Sequence, residues 1–271
     1  MTAPLVYQFL TSTWLTPGGR PAIVHYRADT NDWNTATSCL SADEYRTRDL
    51  DFEGPFLDIG GYIGTVSLAI LLDHPNTHAI IVEPLPENLD LIERNLAANG
   101  LTDRATVIAG LVGQGDVTIT YAYQETENDR HHAFVGNAYG RSGTGAHRSV
   151  TYRGLSFHDI APQGVPFVKI DCEGGLWSIL HEMTDVPLIA GEAEPVPLPD
   201  GTTGSRALLE SILGPTHDIE WGAPAREPGD WGFWAVRRGV VDADGFRPDG
   251  YVGPGIENLD KALRSGRMGR T

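Results

Sequence analysis

Residues 56–70, FLDIGGYIGTVSLAI, predict a strand that ends at a cluster of glycines and continues as a helix. The first part of this stretch is apolar and short, as a buried parallel strand requires. The glycines that follow allow a tight turn and let a helix begin close to the sheet; they are Gly60, Gly61 and Gly64. A strand, a glycine-rich turn and a helix in this order are typical of a nucleotide-type binding element.

The glycine pattern argues against a dinucleotide ligand. The dinucleotide fingerprint G-x-G-x-x-G needs a middle glycine so that the backbone can approach a pyrophosphate. With Gly60 as the first glycine, Tyr62 fills the middle position; with Gly64 as the last, Ile59 fills the first. The remaining pattern is D-x-G-x-x-x-G, with Asp58 at the strand end. A carboxylate there suits an ammonium or sulfonium group, and S-adenosylmethionine carries both.

An acid also ends the second predicted strand, HAIIVEP. Glu83 lies nineteen residues after Gly64 and is followed by Pro84. At this place nucleoside-binding folds keep an acid that accepts hydrogen bonds from the two ribose hydroxyls. We therefore predict that Glu83 and Pro84 line a ribose site. The alternative is a surface glutamate before a proline.

Composition and charge limit the classes of partner. The 271 residues are 41% hydrophobic and 21% charged, which is ordinary for a globular protein with a large core. A formal net charge of -16 disfavours binding to nucleic acid, although a local basic patch is not excluded. Two cysteines, Cys39 and Cys172, are too few for a disulfide framework and indicate a cytoplasmic protein. No apolar run approaches the roughly 20 residues of a membrane span.

The chain divides into three parts: an N-terminal cap (1–50), a core (51–240) and a Gly- and Asp-rich tail (241–271). In the cap, LVYQF and AIVHYRA are predicted strands on either side of the turn TPGG. The segment NDWNTATSCLSADEY is then predicted to enter a helix. The polar residues at its start are interpreted as helix-capping or loop residues; they are Thr30, Asn31 and Asp32.

Strands and helices alternate through the core. Strands are predicted in FLDIG, HAIIVEP, RATVIAGLVG, DVTITYAY, VPFVKIDCEGG and VPLIAGEAEP, with a polar loop at 124–148 and a final antiparallel pair, THDIEW and GFWAVRR. Such repeats predict a mostly parallel sheet with helices on both faces. Ligands of these sheets bind beyond the carboxyl ends of the strands. The acids predicted at those ends are Asp58, Glu83, Asp171 and Glu192.

Three blocks of the sequence resemble the FkbM family of S-adenosylmethionine-dependent methyltransferases: FLDIGGYIGTVSLAI, AIIVEPLPENLDLIERNLAANGL and FVKIDCEGG. The upstream TNDWNTATSCLSADEY is also similar, so the resemblance covers roughly residues 25–240. It implies a Rossmann-like class I methyltransferase fold, with a seven-stranded sheet whose last strand is antiparallel. It also implies S-adenosylmethionine as cofactor and O-methylation of hydroxyls on natural products and sugars.

Carried over by position, the resemblance places Asp58, Gly60 and Gly64 at the methionine end of the cofactor and Glu83 at the ribose. Gly61 and Tyr62 stand where the family usually has Ala and Asn, and Tyr62 is expected either to line the methionine end or to project toward substrate. Two further positions depart from the family: Leu176 replaces an acid, and Glu192-Ala193-Glu194 replaces a frequent E-x-H. If that histidine is a base in relatives, this chain uses another group or none.

The strand VKIDCEG carries alternating charged residues. A period of two puts Lys169, Asp171 and Glu173 on one face. Asp171 is predicted to lie where cofactor and substrate meet, and Lys169 is a further catalytic candidate. The candidates for a base or a metal ligand are Glu173, Glu192 and Glu194. An alternative is that Lys169 and Glu173 form an ion pair supporting the strand. A divalent metal is possible, but nothing in the sequence supports one.

These observations favour an O-methyltransferase acting on a small molecule that carries a hydroxyl. A methyltransferase acting on an amine of a macromolecule would commonly show an Asn/Asp-Pro-Pro-aromatic motif, which the sequence lacks. A non-catalytic module that binds S-adenosylmethionine or a partner stays open, because Leu176 and Glu194 depart from the family pattern. Substrate identity and oligomeric state are not predicted.

Overall fold

The computed structural model describes residues 8–28, 30–122, 134–135, 147–161, 163–224 and 231–240. Its strands are β1 (Phe9–Leu15), β2 (Pro21–Arg27), β3 (Gly54–Ile59), β4 (Thr77–Glu83), β5 (Ala105–Ala109), β6 (Asp116–Ala122), β7 (Phe134–Val135), β8 (His147–Arg153), β9 (Phe167–Ile170), β10 (Leu188–Ala193), β11 (His217–Pro224) and β12 (Trp231–Arg237). Its α-helices are α1 (Asp32–Ala36), α2 (Thr65–Asp73), α3 (Pro86–Ala98), α4 (Phe157–Ile160), α5 (Leu176–Ile179) and α6 (Arg206–Leu213). A π-helical turn spans Thr37–Ser41, and 3-10 turns span Thr47–Asp49, Thr102–Arg104 and Leu180–Met183.

Seven strands form the central sheet, in the order β11-β12-β10-β9-β3-β4-β5. The five strands β10, β9, β3, β4 and β5 run parallel to one another. β12 runs antiparallel to both of its neighbours, β10 and β11. The predicted seven-stranded, mostly parallel sheet with an antiparallel last strand is therefore confirmed.

Helices cover both faces of this sheet. Successive residues of β3 enter two different cores, because side chains alternate along a strand. Phe56 packs in the core that includes residues of α2 and α3, whereas Leu57 packs in the core that includes residues of α5 and α6. The strand is buried from both sides, which explains why its sequence is apolar without alternation.

β6 does not join the central sheet. The predicted strand DVTITYAY is present, but it pairs antiparallel with β8 and β7 in a separate three-stranded sheet. Part of the predicted loop at 124–148 is thus strand, since β8 begins at His147. Cross-strand pairs such as Thr118 and Thr151, whose hydroxyls are 2.8 Å apart, hold this sheet together.

The N-terminal segment is a hairpin followed by a short helix. The strand predicted in LVYQF lies mostly outside the described part, which begins at residue 8; β1 begins at Phe9, the last residue of that segment. The strand predicted in AIVHYRA is confirmed as β2. The side-chain amides of Asn95 in α3 and of Asn99, the residue after that helix, bond to the backbone N–H and C=O of His25 and Ile23. Two asparagines thus take the place of a neighbouring strand.

The expected division into cap, core and tail stays a prediction, since residues 241–271 lie outside the described part. None of the described helices combines the length and the apolar character needed to cross a membrane.

A buried ion pair ties β9 to β3. Lys169 Nζ lies 3.3 Å from Asp58 Oδ1, and both side chains are almost fully buried. The same ammonium donates to the carbonyl oxygen of Gly60 at 2.6 Å. Burial alone lowers the pKa of Lys169, but the charges of Asp58 and Asp171 outweigh it and raise the pKa above its ordinary value. Lys169 is therefore a cation that holds two strands and the turn after β3 together.

We expect Lys169→Met to lower the free energy of unfolding by about 3–5 kcal/mol, because it leaves the Asp58 carboxylate buried without its counter-charge. The matched control is Arg237→Met, whose partner Asp185 is exposed and whose loss should change stability by less than about 1 kcal/mol. Guanidinium denaturation measures both variants. Adding Asp58→Asn to Lys169→Met should recover part of the loss. If Lys169→Met and the control Arg237→Met lower stability equally, the role given to the Lys169–Asp58 pair is contradicted.

Candidate functional site at the carboxyl edge of the sheet

The strand order creates a crevice between β3 and β9. From β3 the chain proceeds to β4 and β5 on one side, and it then returns to β9 on the other side of β3. Such a reversal leaves a crevice beyond the carboxyl ends of the two diverging strands, which is where open α/β sheets bind ligands. Two turns border it here: residues 60–64 after β3 and residues 171–174 after β9.

These two turns touch at Gly60. Its φ of +76° is in the left-handed region, and a Cβ there would lie 1.8 Å from the carbonyl oxygen of Asp171. The Asp171 N–H donates to the carbonyl oxygen of Ile59 at 3.1 Å. Only glycine permits this approach, so Gly60 is required by the fold of the crevice itself. Gly61 packs against Ile81 of β4, and Gly64 precedes the first residue of α2 with a φ of +84°.

The amides of the first turn are bonded within the protein. The N–H groups of Gly60 and Gly61 both donate to Val82 O, at 2.9 and 3.1 Å, and Gly64 N–H donates to Gly61 O at 2.7 Å. The Tyr62 N–H donates to Glu83 Oε2 at 2.9 Å. A phosphate-binding turn instead aims its amides at the ligand. These four amides are committed to protein acceptors, which disfavours a phosphate at this turn.

Glu83 is a buried carboxylate that accepts three hydrogen bonds within the protein. It is 4% exposed, and besides Tyr62 it accepts hydrogen bonds from Leu85 N–H and Asn88 Nδ2, each at 3.0 Å to Oε1. Burial raises the pKa of Glu83 to about 7, against the lowering effect of these donors. A carboxylate has about four acceptor positions, so about one remains for a ribose hydroxyl. Pro84 beside it accepts a hydrogen bond from the Tyr152 hydroxyl through its carbonyl oxygen.

Tyr62 is held in an unusual backbone conformation. Its φ is +51°, a region that L-residues other than Asn and Asp rarely occupy. Its hydroxyl donates to Asp32 Oδ1 at 2.6 Å, so it is directed toward the N-terminal segment. The place of Tyr62 at the methionine end or toward the substrate stays a prediction.

Asp58 is bonded to two side chains of the protein. Its side chain is fully buried, with Oδ1 in the ion pair with Lys169 and Oδ2 accepting from the Ser67 hydroxyl at 2.7 Å. Because Lys169 neutralises the charge of Asp58, the attraction for an ammonium or sulfonium group that we expected from this carboxylate does not follow. Its place at the methionine end stays a prediction, and its visible effect is to hold Lys169 beneath Gly60.

Asp171 is oriented by a tyrosine that the sequence did not single out. The Tyr45 hydroxyl donates to Asp171 Oδ2 at 2.7 Å, and Lys169 Nζ lies 5.5 Å from the centre of the Tyr45 ring. Burial, followed by the charge of Asp171, raises the pKa of Tyr45 well above its ordinary value. Tyr45 therefore remains a hydrogen-bond donor at neutral pH. It lies in a polar segment of the cap, and no motif connects it to a residue so distant in sequence.

The remaining acids surround the second turn. β9 ends at Ile170, so the predicted alternation does not reach Glu173, whose φ is +52°. Glu192 lies on β10 and is partly buried. Glu194 is 3% exposed, and its Oε2 accepts from Gly174 N–H at 3.1 Å.

Burial, together with the charges of Glu173 and Asp171, raises the pKa of Glu194 well above its ordinary value. Glu194 therefore holds its proton more tightly than an exposed glutamate does. Within the described ranges, no group of three or more His, Cys, Asp or Glu side chains is arranged to hold a metal ion.

The structure also changes the interpretation of two other residues. Lys169, a catalytic candidate, is buried and bonded to Asp58 and Gly60, and its ion-pair partner is Asp58 instead of Glu173. This environment favours a supporting role. Asp32, interpreted as a helix-capping or loop residue, is fully buried in an ion pair with Arg27, while Asn31 occupies the N-cap position without a side-chain capping bond.

No family model and no curated protein matches this chain. Among solved structures, a precorrin-6Y C5,15-methyltransferase from Geobacter metallireducens GS-15 has 14% identity and a TM-score of 0.40, covering 73% of this chain and 87% of that one. An rRNA methylase from Streptococcus thermophilus has 9% identity and a TM-score of 0.42, covering 73% and 95%. A candidate O-methyltransferase from Nostoc punctiforme PCC 73102 has 12% identity and a TM-score of 0.43, covering 76% and 58%. Similarity at this level carries no information about the ligand or the reaction of this chain.

The raised pKa of Glu83 predicts a pH-dependent stability. Its folded value of about 7 exceeds its ordinary value of 4.5, so the native state binds more protons between these pH values. The contribution of Glu83 is therefore fully present below about pH 4.5 and declines by about 3 kcal/mol as pH rises to about 7.

Chemical denaturation at a series of pH values tests this expectation. The free energy of unfolding of the wild type, minus that of Glu83→Gln, should fall across this window. Glu53→Gln, at the exposed amino end of β3, is the control and should show no such fall. Parallel pH curves for wild type and Glu83→Gln would contradict the assigned environment.

Proposed function

We propose that this protein binds S-adenosylmethionine and methylates a hydroxyl group of a small molecule. The observation that carries the proposal is the character of the crevice between β3 and β9. It is bordered by carboxylates, while the turn amides that could hold a phosphate are bonded elsewhere. An acidic crevice with few free amides suits a nucleoside with a positively charged tail. The FkbM-like sequence blocks border this same crevice.

The residues at the edge fit the parts of this cofactor. Glu83, with an acceptor position left on a buried carboxylate, would hold a ribose hydroxyl, and Pro84 would lie beside it. Gly60, Gly61 and Gly64 shape the turn that the methionine end would contact. Asp58 would act from behind the turn, since it fixes the Lys169 ammonium that holds the Gly60 carbonyl.

Bound S-adenosylmethionine would supply a methyl group on a sulfonium, which an aligned nucleophile displaces. The chain must also accept the proton of an attacking hydroxyl. Asp171 is best placed for this, because it lies at the crevice and Tyr45 fixes one of its carboxylate oxygens. Glu173 and Glu192 are the other candidate bases. A metal is not needed in this scheme.

Purified protein should bind S-adenosylhomocysteine in calorimetry, and Glu83→Ala should weaken binding by about 1–3 kcal/mol through the loss of charged hydrogen bonds. The control is Glu53→Ala, at the opposite end of the sheet, which should bind as the wild type does. Equal affinities of wild type and Glu83→Ala would refute the ribose assignment. Tight binding of NAD in competition with S-adenosylhomocysteine would refute the proposed ligand class.

Asp171→Asn should lower turnover by roughly 100-fold, which is typical of a lost general base, with little change in cofactor affinity. Turnover is measured as S-adenosylhomocysteine formed with a panel of hydroxylated small molecules. Asp200→Asn, in an exposed turn, is the control. If Asp171→Asn instead loses cofactor affinity but keeps its turnover at saturating cofactor, then Asp171 binds the cofactor and is not the general base.

A further inference from the structure

Five residues form a closed ring of hydrogen bonds behind the first turn. Asn88 Nδ2 donates to Glu83 Oε1 at 3.0 Å, and Asn88 Oδ1 accepts from Arg27 Nη2 at 2.9 Å. Arg27 Nε and Nη2 donate to the two carboxylate oxygens of Asp32, at 2.8 and 2.9 Å. The Tyr62 hydroxyl donates to Asp32 Oδ1, and the Tyr62 N–H donates to Glu83 Oε2, which closes the ring.

Within this ring, Arg27 sets the orientation of the Asn88 amide. An amide can present either its oxygen or its NH2 group to a neighbour. Arg27 has only donors, so Asn88 must turn its oxygen toward Arg27 and its NH2 group toward Glu83. The reverse orientation would place two acceptors against each other at Glu83. Arg27 on β2 thus determines that the NH2 group of Asn88, and not its oxygen, contacts the Glu83 carboxylate at the end of β4.

The other half of the ring holds the backbone of Tyr62. A positive φ at a tyrosine costs about 1–2 kcal/mol and persists only when surrounding contacts fix it. Two such contacts come from the ring: the hydroxyl is bonded to Asp32 and the N–H to Glu83. The guanidinium carbon of Arg27 also lies 5.7 Å from the centre of the Tyr62 ring.

The ion pair in this ring is unusually buried. The side chains of Arg27 and Asp32 are both 0% exposed. Burial acts to raise the pKa of Asp32, but the hydrogen bond and charge of Arg27 prevail and hold it below its ordinary value. Because dehydrating two charges is costly, a buried ion pair is weak evidence for stability and is better explained where it fixes one arrangement of its neighbours.

We propose that Arg27 and Asp32 are positioning residues of the cofactor site, acting through Asn88 and Tyr62 to orient the carboxylate of Glu83. This inference rests on the proposed function. It implies that the N-terminal segment contributes to the cofactor site through Arg27 and Asp32. The pair does not touch the cofactor. It keeps a donor of Asn88 and the N–H of Tyr62 on Glu83, which leaves the remaining acceptor position in one place for the ribose.

Two conservative variants break the ring at different links. Arg27→Lys keeps the charge but lacks the two-pronged geometry that contacts Asp32 and Asn88 together. Tyr62→Phe removes only the hydroxyl and keeps the N–H bond to Glu83, so it tests the ring even if Arg27→Lys fails to fold. The matched controls are Arg94→Lys, in an exposed pair with Asp90, and Tyr26→Phe, whose hydroxyl contacts Ser12 outside the ring.

The first readout is S-adenosylhomocysteine affinity by calorimetry from pH 6 to 8.5. We expect it to fall about tenfold in Arg27→Lys and about threefold in Tyr62→Phe, with both controls unchanged. The second readout needs no ligand. It is the pH midpoint of the fall in the Glu83 contribution to the free energy of unfolding, which follows the pKa of Glu83 in the folded state. This midpoint should move upward in both variants, because the donors to the Glu83 carboxylate are less well held. Lys169 from β9 also acts on Glu83, and Tyr152 from β8 interacts with both Glu83 and Glu87; none of these residues is altered.

The outcomes separate the two proposals. Absence of binding by the wild type would refute the proposed function, while an upward midpoint shift would still support the ring as the device that orients Glu83. Binding by the wild type, with affinities and midpoints in both ring variants equal to those of the controls, would overturn the positioning role. Loss of affinity without a midpoint shift would also overturn it, since the effect would then not pass through Glu83.

Discussion

The buried pair of Lys169 and Asp58 is the interaction on which the crevice depends. It joins β3 to β9, the two strands that diverge at the chain reversal, and its ammonium also holds the carbonyl of Gly60. Gly60 in turn lies against Asp171, so one cation fixes the spacing of both turns that border the crevice. Without that cation a carboxylate would lie uncompensated at the centre of the sheet. The pair thus links the stability of the core to the geometry of the edge.

The electrostatic character of the edge follows from how its charges are distributed. The positive charge of Lys169 is paired with Asp58 inside the sheet, and that of Arg27 is paired with Asp32 inside the ring of hydrogen bonds. Glu83 and Asp171 each accept bonds from neutral donors, which orient these carboxyl groups without cancelling a charge. Around the second turn, burial and the charges of Glu173 and Asp171 raise the pKa of Glu194. The crevice is therefore acidic, with fixed carboxyl groups, and its character matches a cationic nucleoside better than a phosphate-bearing one.

Sequence reasoning succeeded where local pattern determines structure. The strand, glycine turn and helix at residues 56–70 follow from periodicity and turn chemistry. The count of seven strands and the antiparallel last strand were implied by the resemblance to the FkbM family. It failed where the partner is distant. Asp58 was placed correctly at a strand end, but its partner Lys169 lies 111 residues further on, and only the fold brings them together. Asp32 looks like a cap in sequence, because nothing local reveals that Arg27 folds back onto it. For β6, sequence identified the strand but could not show that it pairs in a separate sheet.

The most direct test of this account is a crystal structure of the protein grown with S-adenosylhomocysteine. We predict ligand density between the ends of β3 and β9, with a ribose hydroxyl within hydrogen-bond distance of Glu83 and the sulfur facing the turn that contains Asp171. Ligand bound elsewhere on the molecule, or a crevice between β3 and β9 filled by the protein's own side chains, would contradict it.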